Sequence, residues 1–201
     1  MKLIFISGPS GSGKTTLSNQ IIKKNKNGIV LSTDNYYKTG LISKLLSKFV
    51  EGYFDRSISF NYKLLKKDFN LIVDKGISVY DRSYNFKNRS TKKILNKKKN
   101  IEIVIVEGIF AKEFSNKVYN KKIFFLEIKT DKNECMTRIL KRDLKERGKE
   151  INQAKKDFIR SWDIYYEKFN NRSIKRNKNE FIITKKTNID NLLKKIINWK
   201  S

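Results

Sequence analysis

The chain has 201 residues, one cysteine, no histidine and a net charge of +26. Without histidine there is no histidine-based catalysis and no histidine-ligated zinc, and a lone Cys135 forms no internal disulfide, which fits a reducing, cytoplasmic setting. No apolar run approaches the length of a membrane span. The charge comes from 37 Lys against 9 Arg, with 26 Ile and 21 Asn but 2 Ala and 1 Pro. That is the composition expected where an A+T-rich genome drives codon choice. Apart from NKKKN at 96–100 and pairs such as Lys121–Lys122 the lysines are scattered, so they read as solvated surface in preference to a nucleic-acid footprint.

The first element is KLIFIS (2–7), too short for a secretory apolar region and running straight into glycines, so it reads as a buried strand. GIVLS (28–32), IEIVIVEG (101–108), KIFFLEI (122–128) and EFIIT (180–184) are further short apolar runs of the buried-strand type. Between them the apolar spacing is helical: Leu17, Ile21 and Ile22, then Leu65, Phe69, Ile72 and Val73. Met136, Ile139, Leu140 and Leu144 follow, and Ile189, Leu192, Leu193, Ile196 and Ile197 complete the series. Residues 81–100 carry little pattern and read as a loop or an excursion over the active face. Strands alternating with helices predict one α/β domain over 1–201, a parallel sheet with helices on both faces.

Directly after the first strand, Gly8-Pro9-Ser10-Gly11-Ser12-Gly13-Lys14-Thr15 meets G-x-x-x-x-G-K-[ST] at every fixed position and opens a helix. This is a P-loop. Glycines let successive backbone N–H groups and the helix N-terminus face phosphates. Lys14 reaches β/γ oxygens and the Thr15 hydroxyl holds Mg²⁺. Gly8, Ser10, Gly11, Ser12, Gly13, Lys14, Thr15 and Thr16 are therefore the expected ATP contacts.

The next two strands end in acids. Asp34 follows the second strand at the edge where open α/β sheets bind ligands, as either a helix cap or a catalytic base. Glu107 ends the next buried strand, where a carboxylate can order Mg²⁺ or simply make a turn. Arg138, Arg142 and Arg147 place a third of the arginines within ten residues of one helix, which suggests phosphate gripping by planar, bidentate guanidinium groups. Cys135 lies on an apolar helix face and reads as a small core residue. The aromatics of FIRSWDIYYEKFN (158–170) sit at helical spacing and read as packing.

The order of GPSGSGKTT (8–16), STDNYYK (32–38), YFDRSISFNYKLL (53–65), VYDRSYNFKNRS (79–90), VIVEGIFA (104–111) and RILKRDLKERGKEINQ (138–153) resembles the uridine kinase family, across roughly residues 3–155. The resemblance implies a P-loop NTPase-type fold with an Arg-bearing helical lid at about 138–155. It implies transfer of phosphate from ATP, with Mg²⁺, to the 5′-hydroxyl of uridine or cytidine. Asp34 is then the base, Lys14 and Arg142 the phosphate-stabilising cations, and Thr15 with Glu107 the metal pair. Tyr37, Phe54, Asp55, Tyr80 and Arg89 face the nucleoside, Asp55 bonding the sugar hydroxyls, and Arg147 belongs to the lid.

Three departures qualify the acceptor. The family's FDHPDAFD-like stretch is FDRSISFN here, and its YDFxxHxR base-reading segment is YDRSYNFKNR, without the histidine and with Arg89 two positions late. Ile139 stands where the family often has arginine. The altered 53–90 stretch leaves open a related kinase acting on pantothenate, nicotinamide riboside or a sugar, or a nucleic-acid-directed protein, either a kinase of polynucleotide 5′ ends or a P-loop binding module without catalysis. The lack of an Arg/Lys–aromatic stripe speaks against the last. No membrane partner is expected, and a homo-oligomer is left open.

Overall fold

The computed structural model describes residues 1–25, 27–86, 88–118, 122–148, 150–167 and 180–199, apart from the side chains of 146 and 147. Strands β1 (Lys2–Ser7), β2 (Gly28–Ser32), β5 (Ile103–Glu107), β6 (Phe124–Ile128) and β7 (Glu180–Ile183) form one sheet in the order β2-β5-β1-β6-β7. Every pairing in it is parallel. The five apolar runs of the sequence are these five strands. β5 and β6 are buried along their whole length, because a parallel sheet covered on both faces has no solvent side.

Alternation along β1 distributes the core. Leu3 and Phe5 pack with Ile29, Val104, Val106 and Phe125 against helices α3 (Tyr62–Lys75), α4 (Ala111–Lys117) and α6 (Ile151–Tyr165). Ile4 and Ile6 pack with Ile105, Phe124 and Leu126 against α1 (Lys14–Lys23) and α7 (Ile189–Asn198). The helix starts are chemically marked: Asn61, Asp131 and Asn188 cap α3, α5 (Lys132–Arg147) and α7 by accepting backbone N–H groups. Cys135 is buried with Ile139 and Phe158 where α5 meets α6. Among the described residues no helix is long and apolar enough to cross a membrane.

One stretch departs from the sequence expectation and one helix carried none. The stretch 81–100, expected as a loop or an excursion over the active face, is an excursion built largely as regular structure: β3 (Ser78–Asn85) and β4 (Ser90–Lys98) pair antiparallel as a two-stranded ribbon. Most of β4 is exposed, including Ile94 and Leu95, so the ribbon carries no buried-strand pattern to read. Helix α2 (Leu41–Phe49) carried no expectation and is packed inside out. Ser43 faces inward, donating to the Lys38 carbonyl (2.8 Å) and accepting from the Tyr53 hydroxyl (3.1 Å). Leu41, Ile42, Leu45 and Phe49 point to solvent, from 57% exposed at Leu45 to 84% at Leu41.

Candidate active site

Parallel pairing aligns the carboxyl ends of β1, β5 and β2. Ile6 and Ser32 both stand in register with Glu107, so the loops after these strands converge on one edge. The loop after β1 is the Gly8–Thr15 cradle. Gly11 and Gly13 have φ of 83° and 97°, which only glycine adopts freely. A Cβ on Gly11 would stand 2.6 Å from the Cys135 carbonyl oxygen, so the loop is seated directly under the first turns of α5. Lys14 heads α1 and is buried, its Nζ donating to the Gly8 and Pro9 carbonyls at 2.9 and 2.8 Å. Burial lowers its pKa, with the Glu107 and Asp34 charges opposing.

The cradle fits phosphate. The Ser12 hydroxyl is buried without a hydrogen-bond partner among the described residues, and a Cβ on Gly8 would fill the space 2.6 Å from it. Thr15 and Thr16 are exposed on the first turn of α1. Glu107 is 4% exposed; burial pushes its carboxyl above the usual range, with the Lys14 charge and the nearby Ser32 and Thr15 hydroxyls opposing. One hydroxyl and one carboxylate fit Mg²⁺, which keeps waters and takes phosphate oxygens in preference to a protein cage. Among the described residues no three acids, cysteines or histidines gather to form such a cage.

Asp34 lies half-buried in a 3-10 turn, Thr33–Asn35, just past β2. Ser32 holds that turn's cap position and α2 starts after Gly40, so Asp34 caps neither element. Its charge opposes the lowering at Lys14 and adds to the raised carboxyls of Glu107 and Asp55, in each case behind burial. It stands between the phosphate cradle and a cleft of about 570 Å³ lined by Ser10, Asp34, Tyr37, Phe54, Asp55, Phe86, Arg89 and Arg142 among others.

In the cleft wall Asp55 accepts a 2.7 Å hydrogen bond from Ser161 of α6, and burial raises its carboxyl against the pull of Ser161 and Arg160. Tyr37 is the hub of an aromatic group, with ring centroids 5.3 Å from Phe54, 5.2 Å from Tyr84 and 5.5 Å from Phe86. The Arg89 guanidinium lies 5.9 Å over the Phe54 ring and donates to Ser47 of α2, joining the ribbon turn to that helix. Arg142 is aimed by its neighbour, donating through Nε (3.0 Å) and Nη2 (2.8 Å) to Asp143 Oδ1. Arg138 grips the cradle, donating to the Gly11 carbonyl at 3.1 Å. The Arg147 side chain lies outside the described residues.

Tyr80 is not brought to the cleft. It is 47% exposed and lines a separate cavity of about 310 Å³ beside β2, with Asp81 and Arg82. At about 3.3 Å of rise per residue, four positions along β3 carry it some 13 Å from Tyr84. The ribbon instead presents Tyr84 to the aromatic group and Phe86 to the cleft. Tyr84-Asn85-Phe86 matches a Tyr-Asp-Phe start at two of three positions, as Tyr80-Asp81-Arg82 does, so the sequence left the two segments level. Asp157, Phe158, Arg160 and Ser161 of α6 line the cleft too, brought there by the fold of a region that sequence spacing reads only as packing.

The Phosphoribulokinase / Uridine kinase family matches residues 3–189. A uridine kinase of Borrelia duttonii is 31% identical over 175 residues, covering 84% of this chain and 80% of its own. A uridine kinase of Ureaplasma parvum is 28% identical over 176 residues, covering 83% and 81%. Among solved structures, D-glycerate 3-kinase from Cryptococcus neoformans superimposes with a TM-score of 0.62 at 18% identity, covering 91% of this chain and 86% of its own. A Bacillus stearothermophilus protein described as a possible uridine kinase gives 0.57 at 15%, covering 90% and 88%. These structures share the fold. A phosphate cradle, an acid at the adjacent strand end and an acceptor-sized cleft between them agree with the family match: the chain belongs to the phosphoribulokinase/uridine kinase family and is a phosphotransferase that acts on an alcohol.

Proposed function

We propose that the chain transfers the γ-phosphate of ATP to the 5′-hydroxyl of a pyrimidine nucleoside, uridine or cytidine. The observation that carries this is the place of Asp34, just past β2 at the sheet edge where Ser32 is in register with Glu107, and in the wall of the cleft that Ser10 of the cradle and Asp55 also line.

ATP lies on Gly8–Thr16, with the Ser12 hydroxyl and the loop N–H groups toward its phosphates. Lys14 turns from the loop carbonyls to the β/γ oxygens. Thr15 and Glu107 hold Mg²⁺, which when bound neutralises charge on those oxygens. The nucleoside sugar is held by Asp55, and its base lies among Tyr37, Phe54, Phe86 and Arg89. Asp34 accepts the hydroxyl proton as the oxygen attacks in line. Arg142, steadied by Asp143, offsets charge on the transferring group, and residues 138–155, with Arg147, act as a lid that excludes water. Residues 1–201 work as one such domain, in a reducing cytoplasm, on a small molecule in preference to nucleic acid.

The test is incubation with ATP and Mg²⁺ against uridine, cytidine, purine nucleosides, nicotinamide riboside, pantothenate and a 5′-hydroxyl oligonucleotide, with product mass as readout. Uridine or cytidine monophosphate is the expected product. A different phosphorylated acceptor keeps the cradle and the base and overturns the pyrimidine assignment. Salt-sensitive oligonucleotide binding without turnover overturns the whole reading.

A further inference from the structure

Two hydroxyls on one face of α6 reach the two halves of the site. Ser161 and Tyr165 are four residues apart, one helical turn, and so project on the same side. Ser161 Oγ donates to Asp55 Oδ1 at 2.7 Å, in the acceptor wall. The Tyr165 hydroxyl lies 3.2 Å from Ser7 Oγ, a hydrogen bond in which either oxygen can donate. Ser7 is the last residue of β1 and leads directly into Gly8. Ser7 is fully buried and Tyr165 is 3% exposed. Between the two contacts Ile164 packs so closely on Gly52 that a Cβ there would meet it at 2.7 Å, which fixes the rotation of the helix against the loop that carries Asp55.

We infer that Ser161 and Tyr165 are positioning residues that set the distance between the donor cradle and the acceptor wall. The inference rests on the kinase reading above. An apolar contact tolerates sliding, whereas a buried hydrogen bond holds its length and direction, and leaving its partner unpaired is costly. One buried bond, at Tyr165, and one half-buried bond, at Ser161, set one turn apart, make α6 a strut between the place where the γ-phosphate is held and the place where the sugar is held. In-line transfer depends on that separation, and a displacement of about 1 Å costs on the order of 10²-fold in rate. Neither hydroxyl is required to touch either substrate.

The variants are Tyr165→Phe and Ser161→Ala, each of which keeps the packing and removes one hydroxyl, together with the double variant. Hydrogen exchange is followed in residues 8–15 and 52–56, and steady-state kinetics on the acceptor found in the panel. Tyr165→Phe is expected to speed exchange in 8–15 and not in 52–56, and Ser161→Ala the reverse. Each lowers kcat by roughly 10-fold; Tyr165→Phe leaves both KM values within about twofold and Ser161→Ala leaves the ATP KM so, the signature of misalignment and not of lost donor binding. The double variant is no slower than the worse single one, since either break already frees the strut. Unchanged kcat in both, or faster exchange throughout the sheet, overturns the inference and leaves ordinary core contacts. If no acceptor is phosphorylated, the kinase reading fails by itself and the exchange pattern alone decides: changes confined to the two loops uphold the strut, and unchanged loops overturn it.

Discussion

A Cβ placed on Gly108 would stand 1.8 Å from the Thr33 hydroxyl oxygen. The end of β5 therefore presses on the turn that carries Asp34, and only a glycine allows it, with φ of 138° as a second requirement. Gly108→Ala must push the turn outward and take Asp34 with it. The expected result is a kcat lower by about 10²-fold, with ATP affinity by calorimetry within twofold of wild type. A kcat near wild type would separate Asp34 from the rate.

Asp34→Asn removes the proton acceptor while keeping size and hydrogen-bonding shape. Turnover is expected to fall by about 10²–10⁴-fold, with ATP still bound. Quenched-flow measurement of product formed in the first turnover reports the chemical step directly. An undiminished first turnover would assign the proton to another group.

Glu107 makes stability depend on pH in a defined sense. Burial raises its carboxyl in the folded chain, so the folded state holds the proton more tightly than the unfolded one. Its contribution is fully present below the unfolded value of about 4.3 and is lost as pH rises through the folded value. Glu107→Gln, which carries no such proton, should lie about 2–4 °C above wild type in Tm at pH 8 for each kcal/mol recovered. It should merge with wild type near pH 3.5, as followed by circular dichroism. A gap of the same size at both pH values would put the effect in packing and not in charge.

The ribbon supplies a contrast within one strand. Phe86 lines the cleft and Tyr80 lines the cavity beside β2. Phe86→Ala is expected to raise the acceptor KM by roughly 10-fold, for a lost aromatic contact of about 1–1.5 kcal/mol. Tyr80→Ala should leave it within twofold. Initial-rate kinetics on both variants settle which tyrosine-led segment faces the acceptor, and equal effects would erase the distinction.

The sheet was legible because its strands are buried on both faces, so Val104, Ile105, Phe124 and Phe125 announce themselves by composition alone. That Asp34 and Glu107 come to one edge was legible because strand ends in parallel sheets converge there. The ribbon was not, since Lys92, Lys93, Ile94 and Leu95 are exposed together and leave no period of two. Nor was the role of α6 legible: Ser161 and Tyr165 find Asp55 and Ser7 across 106 and 158 residues, and spacing within a helix says nothing about which distant loop it meets. Arg142 was found by counting arginines, but Asp143, which orients it, looked like any other acid on a charged helix.

The outward stripe of Leu41, Ile42, Leu45 and Phe49 gives the native protein an oily surface of the kind that environment-sensitive dyes detect on molten states. Such a dye would glow before any heating began. Melting curves recorded that way start high and understate the transition, so a shift on adding ATP could be masked. The same stripe offers chymotrypsin, which cuts after large apolar residues, several exposed side chains on a short helix that has only to unwind locally, with the core still folded. A cut there would sever the chain between Asp34 and Asp55 while the sheet stayed intact.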